Sequence, residues 1–152
     1  MQVFRLSRKK YAGELSGKGA ALAGNRWNSK GIEMIYCADS RALAMAEVVV
    51  HLPFYLLPQD FEMLEISIPD TLKIKTVSLK ELPEMWNRFP HHPKTQLIGD
   101  HFIKTNEYAV LKVPSAVVKG DFNFLLNPYH KHFKKIKIKA QSPFIFDSRF
   151  FE

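Results

Sequence analysis

Three short stretches of the chain carry side chains whose type and setting suit chemistry. Arg26 stands between Asn25 and Trp27-Asn28, with Gly31 close behind. Its planar guanidinium fork matches the oxygens of a phosphate or pyrophosphate, although an arginine beside a half-buried tryptophan is also a common surface arrangement. Glu47 sits within Leu43-Ala44-Met45-Ala46-Glu47-Val48-Val49-Val50-His51, where i, i+4 spacing puts Leu43, Glu47 and His51 along one side of a helix. A carboxylate among so many apolar residues is costly unless it is paired or functional. The plain alternative is a solvent-facing edge on which Glu47 pairs with His51. Tyr36 offers an aromatic face and a hydroxyl near a strand end, and Ser115 follows Val113-Pro114 where a strand stops. No Gly-x-Ser-x-Gly elbow surrounds that serine, so a serine nucleophile has no support. His91 with His92, and His130 with His132, lack a third ligand at useful spacing, so no metal is expected.

The elements that must position these residues follow from periodicity and turn chemistry. Gln2 to Leu6 reads as a short strand, and a loop rich in Gly, Ala and Lys runs from Lys9 to Asn25. A loop that long in a small domain points to function or disorder. Ile32 to Ala38 reads as a buried strand. Asp39 and Ser40 offer capping oxygens for a helix from Arg41 to Leu52 that Pro53 ends. Alternation predicts strands over Glu62 to Ile68 and Leu72 to Val77, with a turn at Pro69-Asp70. A short helix is expected over Leu79 to Trp86, capped by Ser78, and a second over Thr95 to Lys104. A strand from Tyr108 to Val113 stops at Pro114. Beyond it we expect a loop around Phe122 to Pro128, a strand near Lys135 to Lys139, and a last strand from Pro143 to Phe146. Many strands with few helices, and no regular βαβ alternation, predict an α+β fold: a compact mixed sheet with a few short helices.

Composition narrows the class further. A chain of 152 residues fits one domain spanning 1–152, and 46% hydrophobic residues, twelve of them Phe, supply a real core. The net charge of +7 attracts polyanions without choosing among a nucleic acid, an acidic protein and a phosphate-bearing small molecule. Part of that charge lies in His130 to Lys139, whose alternation from Lys135 suits a strand with Lys outward and Ile inward. The lone Cys37 cannot form an internal disulfide, the N-terminus lacks an apolar signal core, and no stretch approaches the length of a membrane helix. A reducing, cytoplasmic setting is expected, with no membrane association.

The order of these features is more specific than any one of them. Asn25-Arg26-Trp27-Asn28 with Gly31 and Tyr36, Ala46-Glu47 with His51, Val113-Pro114-Ser115-Ala116-Val117-Val118, Asn123 to Pro128, and Phe146-Asp147-Ser148-Arg149 together resemble the RES domain family. The family's naming Arg, Glu and Ser fall on Arg26, Glu47 and Ser115. The similarity runs from Phe4 to Arg149 and takes in Leu82-Pro83 with Trp86 and Thr95 to Asp100. Trp27 stands where Tyr is frequent, and Lys131 where Pro often follows the histidine of Asn127-Pro128-Tyr129-His130.

The resemblance implies a fold like that of the ADP-ribosyltransferase toxins, with NAD as substrate in a central cleft. It implies a toxin encoded beside an Xre-like helix-turn-helix antitoxin, with DNA contact expected only through that antitoxin. In this reading Glu47 opposes the positive charge that develops at the nicotinamide ribose and Arg26 grips the pyrophosphate. Tyr36 and Trp27 flank the ligand, and Ser115 bonds within the nicotinamide-ribose pocket. Asn127 and Arg149 are further binding candidates. The expected outcome is NAD cleavage with water or inorganic phosphate as acceptor. Transfer of ADP-ribose to a specific protein is the alternative within the class, and a non-enzymatic nucleic-acid-binding module is the alternative outside it.

Overall fold

The computed structural model describes residues 1–53, 55–56 and 58–152. Its centre is a seven-stranded mixed sheet in the order β4-β5-β6-β2-β1-β3-β7. The strands are β1 (Gln2–Arg8), β2 (Ile35–Ala38), β3 (Phe61–Ser67), β4 (Ile74–Thr76), β5 (Val110–Pro114), β6 (Phe122–Leu126) and β7 (Lys137–Phe144). Among the described residues three α-helices accompany them: α1 (Lys18–Ala23), α2 (Arg41–Val49) and α3 (Pro93–Thr105). The expected α+β class is therefore observed. Neighbouring strands run antiparallel except β4 and β5, which are parallel.

The sheet is weakest in its middle. β1 pairs with β3 along its whole length, but among the described residues its ladder with β2 is the single pair Phe4–Ala38. The sheet thus divides into a β4-β5-β6-β2 half and a β1-β3-β7 half. Leu43 and Ala44 of α2 pack with Phe4, Leu6, Phe61, Met63 and Phe146 on the second half. Phe102 and Ile103 of α3 pack with Trp27, Met34, Leu111, Val113 and Leu125 on the first. Val3, Ile35, Leu64, Ile66, Phe124 and Leu126 form a further cluster that spans the join. Each fully buried Leu or Ile stabilises the fold by roughly 1.5–3 kcal/mol relative to exposure.

Several elements differ from the sequence-based expectation, for identifiable reasons. Phe122 to Leu126 is a central strand and not a loop. Apolar residues on both of its faces erase the alternation that marks a half-buried strand. The two C-terminal strands are one, because β7 is an edge strand and an edge admits Pro143 without breaking. As expected, Lys137 and Lys139 are exposed while Ile136 and Ile138 pack inward. The long loop after β1 contains α1 and a single 3-10 turn, Lys9–Tyr11. The helix expected over Leu79 to Trp86 is one 3-10 turn, Leu79–Glu81, since Pro83 removes a donor and would strike the preceding turn. In α2, Ser40 Oγ accepts from the Leu43 N–H at 3.1 Å, and the helix ends at Val49, before Pro53. Asp39 turns instead to β6, accepting from the Phe122 N–H at 3.2 Å. In α3, Pro93 occupies the first turn, where its missing N–H costs nothing, and Asn106 closes the helix in the left-handed conformation.

Candidate active site

Where the two halves of the sheet part, a cavity of about 850 Å³ opens. β1 contributes Phe4, Arg5 and Leu6 to its wall, and β2 contributes Tyr36, Cys37 and Ala38. From α2, Ala44, Glu47 and Val48 recur at i, i+3 and i+4, so one stripe of the helix faces the space, and His51 joins them from the turn just beyond it. Arg26 and Trp27 enter from the segment after α1.

Glu47 is the only carboxylate on that wall among the described residues. Burial pushes its carboxyl above the usual glutamate range, while Ser115, Asn123, His51 and Arg26 each favour the charged form and pull it back. Ser115 Oγ donates to Glu47 Oε1 at 3.1 Å. The same oxygen accepts from the Val117 and Val118 N–H groups at 3.1 and 3.0 Å. A hydroxyl has one proton and two lone pairs, so Ser115 has nothing left for a ligand. It stands behind the carboxylate and orients it, in place of the direct contact with a ribose pocket expected from the sequence.

Arg26 is half-buried and spends one end of its fork on the protein. Its Nη1 donates to the carbonyls of Trp86 and Arg88 at 2.7 and 3.0 Å. Nε and Nη2 have no hydrogen-bond partner among the described residues, which leaves one edge of the guanidinium available to an anion. Burial lowers its pKa, and the charge of Glu47 acts against that shift.

The backbone carrying Arg26 is held from several directions. Gly24, at φ 75°, turns the chain out of α1. The buried Asn28 amide donates to the carbonyls of Ala20, Ser29 and Ile32, and its oxygen accepts from Tyr36 Oη at 2.7 Å. Tyr36 Oη in turn accepts from the Trp27 N–H at 3.1 Å. Burial pushes the phenol pKa up, so Tyr36 stays neutral, its hydroxyl structural and its ring toward the cavity. One face of α3 completes the clamp: Gln96 Nε2 donates to Asn25 O at 2.9 Å, and Asp100 accepts from the N–H and hydroxyl of Ser29 at 2.9 and 2.6 Å. Trp27 touches the cavity but is itself core, with its ring centroid 6.0 Å from that of Trp86.

The sequence-predicted residues therefore divide. Arg26, Tyr36, Trp27, Glu47 and Ser115 are brought together. Asn127 and Arg149 are not on the cavity wall. Asn127 is fully buried, donating to Asn106 Oδ1 and accepting from the Tyr129 N–H, both at 2.9 Å, which fixes the turn after β6. Arg149 is exposed and paired with Asp147 at 2.6 Å. Conversely, Arg5 and Asn123 reach the cavity without having been singled out from the sequence. Arg5 Nη1 donates to Tyr36 O at 3.0 Å across the parting of the sheet. Its signal was an arginine set between Phe4 and Leu6 in the middle of a strand. Among the described residues, no group of three or more His, Cys, Asp or Glu side chains is arranged to hold a metal ion, and no helix is long and apolar enough to cross a membrane.

Fold and site together define a class: α+β proteins in which a parted sheet sets a half-buried carboxylate and an arginine on one cavity wall. A family model described as RES domain matches residues 2–147, and the chain belongs to that family. The Prs ADP-ribosylating toxin of Sphingobium sp. (strain YBL2) is 36% identical over 140 residues, covering 91% of this chain and 87% of that protein. Toxin Res of Photorhabdus laumondii is 38% identical over 151 residues, with 98% and 96% covered. Among solved structures, a chain of the M. tuberculosis MbcT-MbcA toxin-antitoxin complex shares the fold at a TM-score of 0.75 and 18% identity, over 95% of this chain and 84% of that one.

Proposed function

We propose that this protein is the toxin of a toxin–antitoxin pair and that it destroys NAD by breaking the bond between nicotinamide and ribose. The observation that carries the reading is the Glu47 carboxylate, half-buried on a cavity wall, fixed by the Ser115 hydroxyl and sharing that wall with a half-free Arg26. Nicotinamide leaves through a transition state with positive charge on the sugar, so a fixed negative charge beside that carbon lowers the barrier. The relatives named Toxin Res support the toxin reading, and the name of the Prs ADP-ribosylating toxin supports an NAD-using reaction at that bond.

In this mechanism the free edge of Arg26 binds the pyrophosphate and the Tyr36 ring flanks the nicotinamide. Glu47 accepts a hydrogen bond from a ribose hydroxyl and opposes the developing charge. The glycosidic C–N bond breaks, its electron pair neutralising the departing pyridinium. An oxygen of water or inorganic phosphate then bonds to the same carbon. The proton this oxygen sheds can pass to Glu47, whose raised pKa makes it a better acceptor than an exposed carboxylate. The products are nicotinamide with ADP-ribose or its 1-phosphate. Ser115 acts through Glu47 as a positioning residue. An Xre-like antitoxin would keep the cavity closed in the producing cell.

The purified chain, incubated with NAD with and without phosphate and read by mass spectrometry, is expected to release nicotinamide. Glu47→Ala is expected to abolish that release with circular dichroism unchanged, and full turnover by this variant would refute the assignment. The name of the Sphingobium relative favours one second reading, transfer of ADP-ribose to a protein. It would appear as a mass gain on a target protein and not as free ADP-ribose.

A further inference from the structure

The reaction above leaves unused a loop on the cavity's rim. Asn87, Phe89 and His91 all line the cavity. Phe89 is 79% exposed, and the edge of one ring meets the face of the other between Phe89 and His91 at a centroid distance of 5.3 Å. A phenyl ring that is both exposed and part of a cavity wall offers its π face to whatever enters. The second observation is independent: His91 Nδ1 is buried and, among the described residues, has no hydrogen-bond partner. Buried polar atoms are nearly always satisfied, and an exception at a cavity wall is a place for a ligand atom. Burial first, then Arg26 and His51, lowers the pKa of His91. The neutral ring offers Nδ1 as donor or acceptor according to tautomer.

A flat aromatic face beside an unsatisfied hydrogen-bonding edge is the chemistry that holds a nucleobase. Resting on the NAD reading, the connectivity says which base. Arg26, the pyrophosphate residue, is bonded directly to this loop through Trp86 O and Arg88 O, whereas it feels Glu47 only through space. A dinucleotide with its reacting ribose at Glu47 and its pyrophosphate at Arg26 has its other nucleoside free to lie along the loop. We infer that Asn87 to His91 is a strap that recognises adenine, Phe89 stacking on the ring and His91 Nδ1 hydrogen-bonding its edge.

The test uses AMP as probe, titrated by calorimetry into the wild type, Phe89→Ala, Phe89→Trp and His91→Ala, with thermal melts confirming that each variant folds. AMP is expected to bind the wild type, about tenfold more weakly to Phe89→Ala, the loss expected for one base–aromatic stack, and at near wild-type strength to Phe89→Trp. His91→Ala should cost a few-fold. In turnover, the preference for NAD over nicotinamide mononucleotide, as a ratio of kcat/KM, should fall about tenfold in Phe89→Ala. Failure of the wild type to bind AMP, indifference of AMP binding to Phe89, or an equal loss with the mononucleotide would overturn the strap. If NAD is untouched but AMP binding depends on Phe89, the strap stands and the cleavage reading falls. If NAD is consumed but AMP binding is indifferent to Phe89, cleavage stands and the strap falls.

Discussion

Glu47 is a group whose surroundings disagree about its charge. Burial favours the neutral acid, whereas Ser115, Asn123, His51 and Arg26 favour the anion, and burial wins. Two consequences follow from the sign. If the anion is the working form, the acid limb of kcat/KM for NAD should titrate above the ordinary glutamate value, and an acid limb at or below that value would contradict it. The folded-state pKa also lies above the unfolded one, so the native state binds more protons between the two and stability falls as pH rises through that window. Glu47→Gln, which can still accept from Ser115, should therefore raise Tm at pH 7, and the gain should fade below the unfolded glutamate value. Equal melting gains at pH 3 and pH 7 would show that ionisation is not the cause.

At the scale of elements, the site depends on a helix that contributes no residue to the cavity wall. Gln96, Gly99 and Asp100 lie on one face of α3, and together they hold the Asn25 to Ser29 backbone. A Cβ on Gly99 would overlap Trp27 O, which is backbone and cannot swing away. Helix propensity alone would have Gly99→Ala stabilise by about 1 kcal/mol. We expect the opposite, a loss of about 3 kcal/mol, because overpacking against a fixed carbonyl outweighs propensity. Chemical denaturation measures it, and NAD turnover should fall with it as Arg26 is displaced. A stabilised Gly99→Ala would mean that α3 does not clamp the arginine.

For the whole molecule the governing features are a parted sheet and an excess of positive charge. β1 and β2 meet at one residue pair, Arg5 bridges the gap to Tyr36 O, and the space beside them becomes the cavity. The charge of +7 draws in anions of every kind, so attraction alone does not separate an enzyme for a dinucleotide from a nucleic-acid binder. Salt does. Release of counterions from six to ten phosphates weakens nucleic-acid binding by roughly 10³–10⁵ between 50 and 200 mM salt. A small dinucleotide makes few such contacts, and kcat/KM for NAD should fall less than tenfold over the same range. A steeper loss would favour the polyanion-binding alternative.

Much of this protein was legible from local pattern. The apolar stripe of α2, its Ser40 cap, the proline that ends β5 and the proline that opens α3 depend on neighbours a few residues away, and those neighbours are written beside them. Arg26 and Glu47 stood out because a charge among apolar or aromatic residues is anomalous in any fold. The central strand β6 did not, since burial on both faces removes the alternation that would mark it. Nor could the chain order reveal that Ser115 would spend its hydroxyl on a glutamate 68 positions away, that Asn127 would turn inward to a turn, or that Arg5, Asn123 and His91 would reach the cavity. Those outcomes depend on which strands become neighbours and where their pairing stops, a choice made by burial of the whole core and not by any one segment.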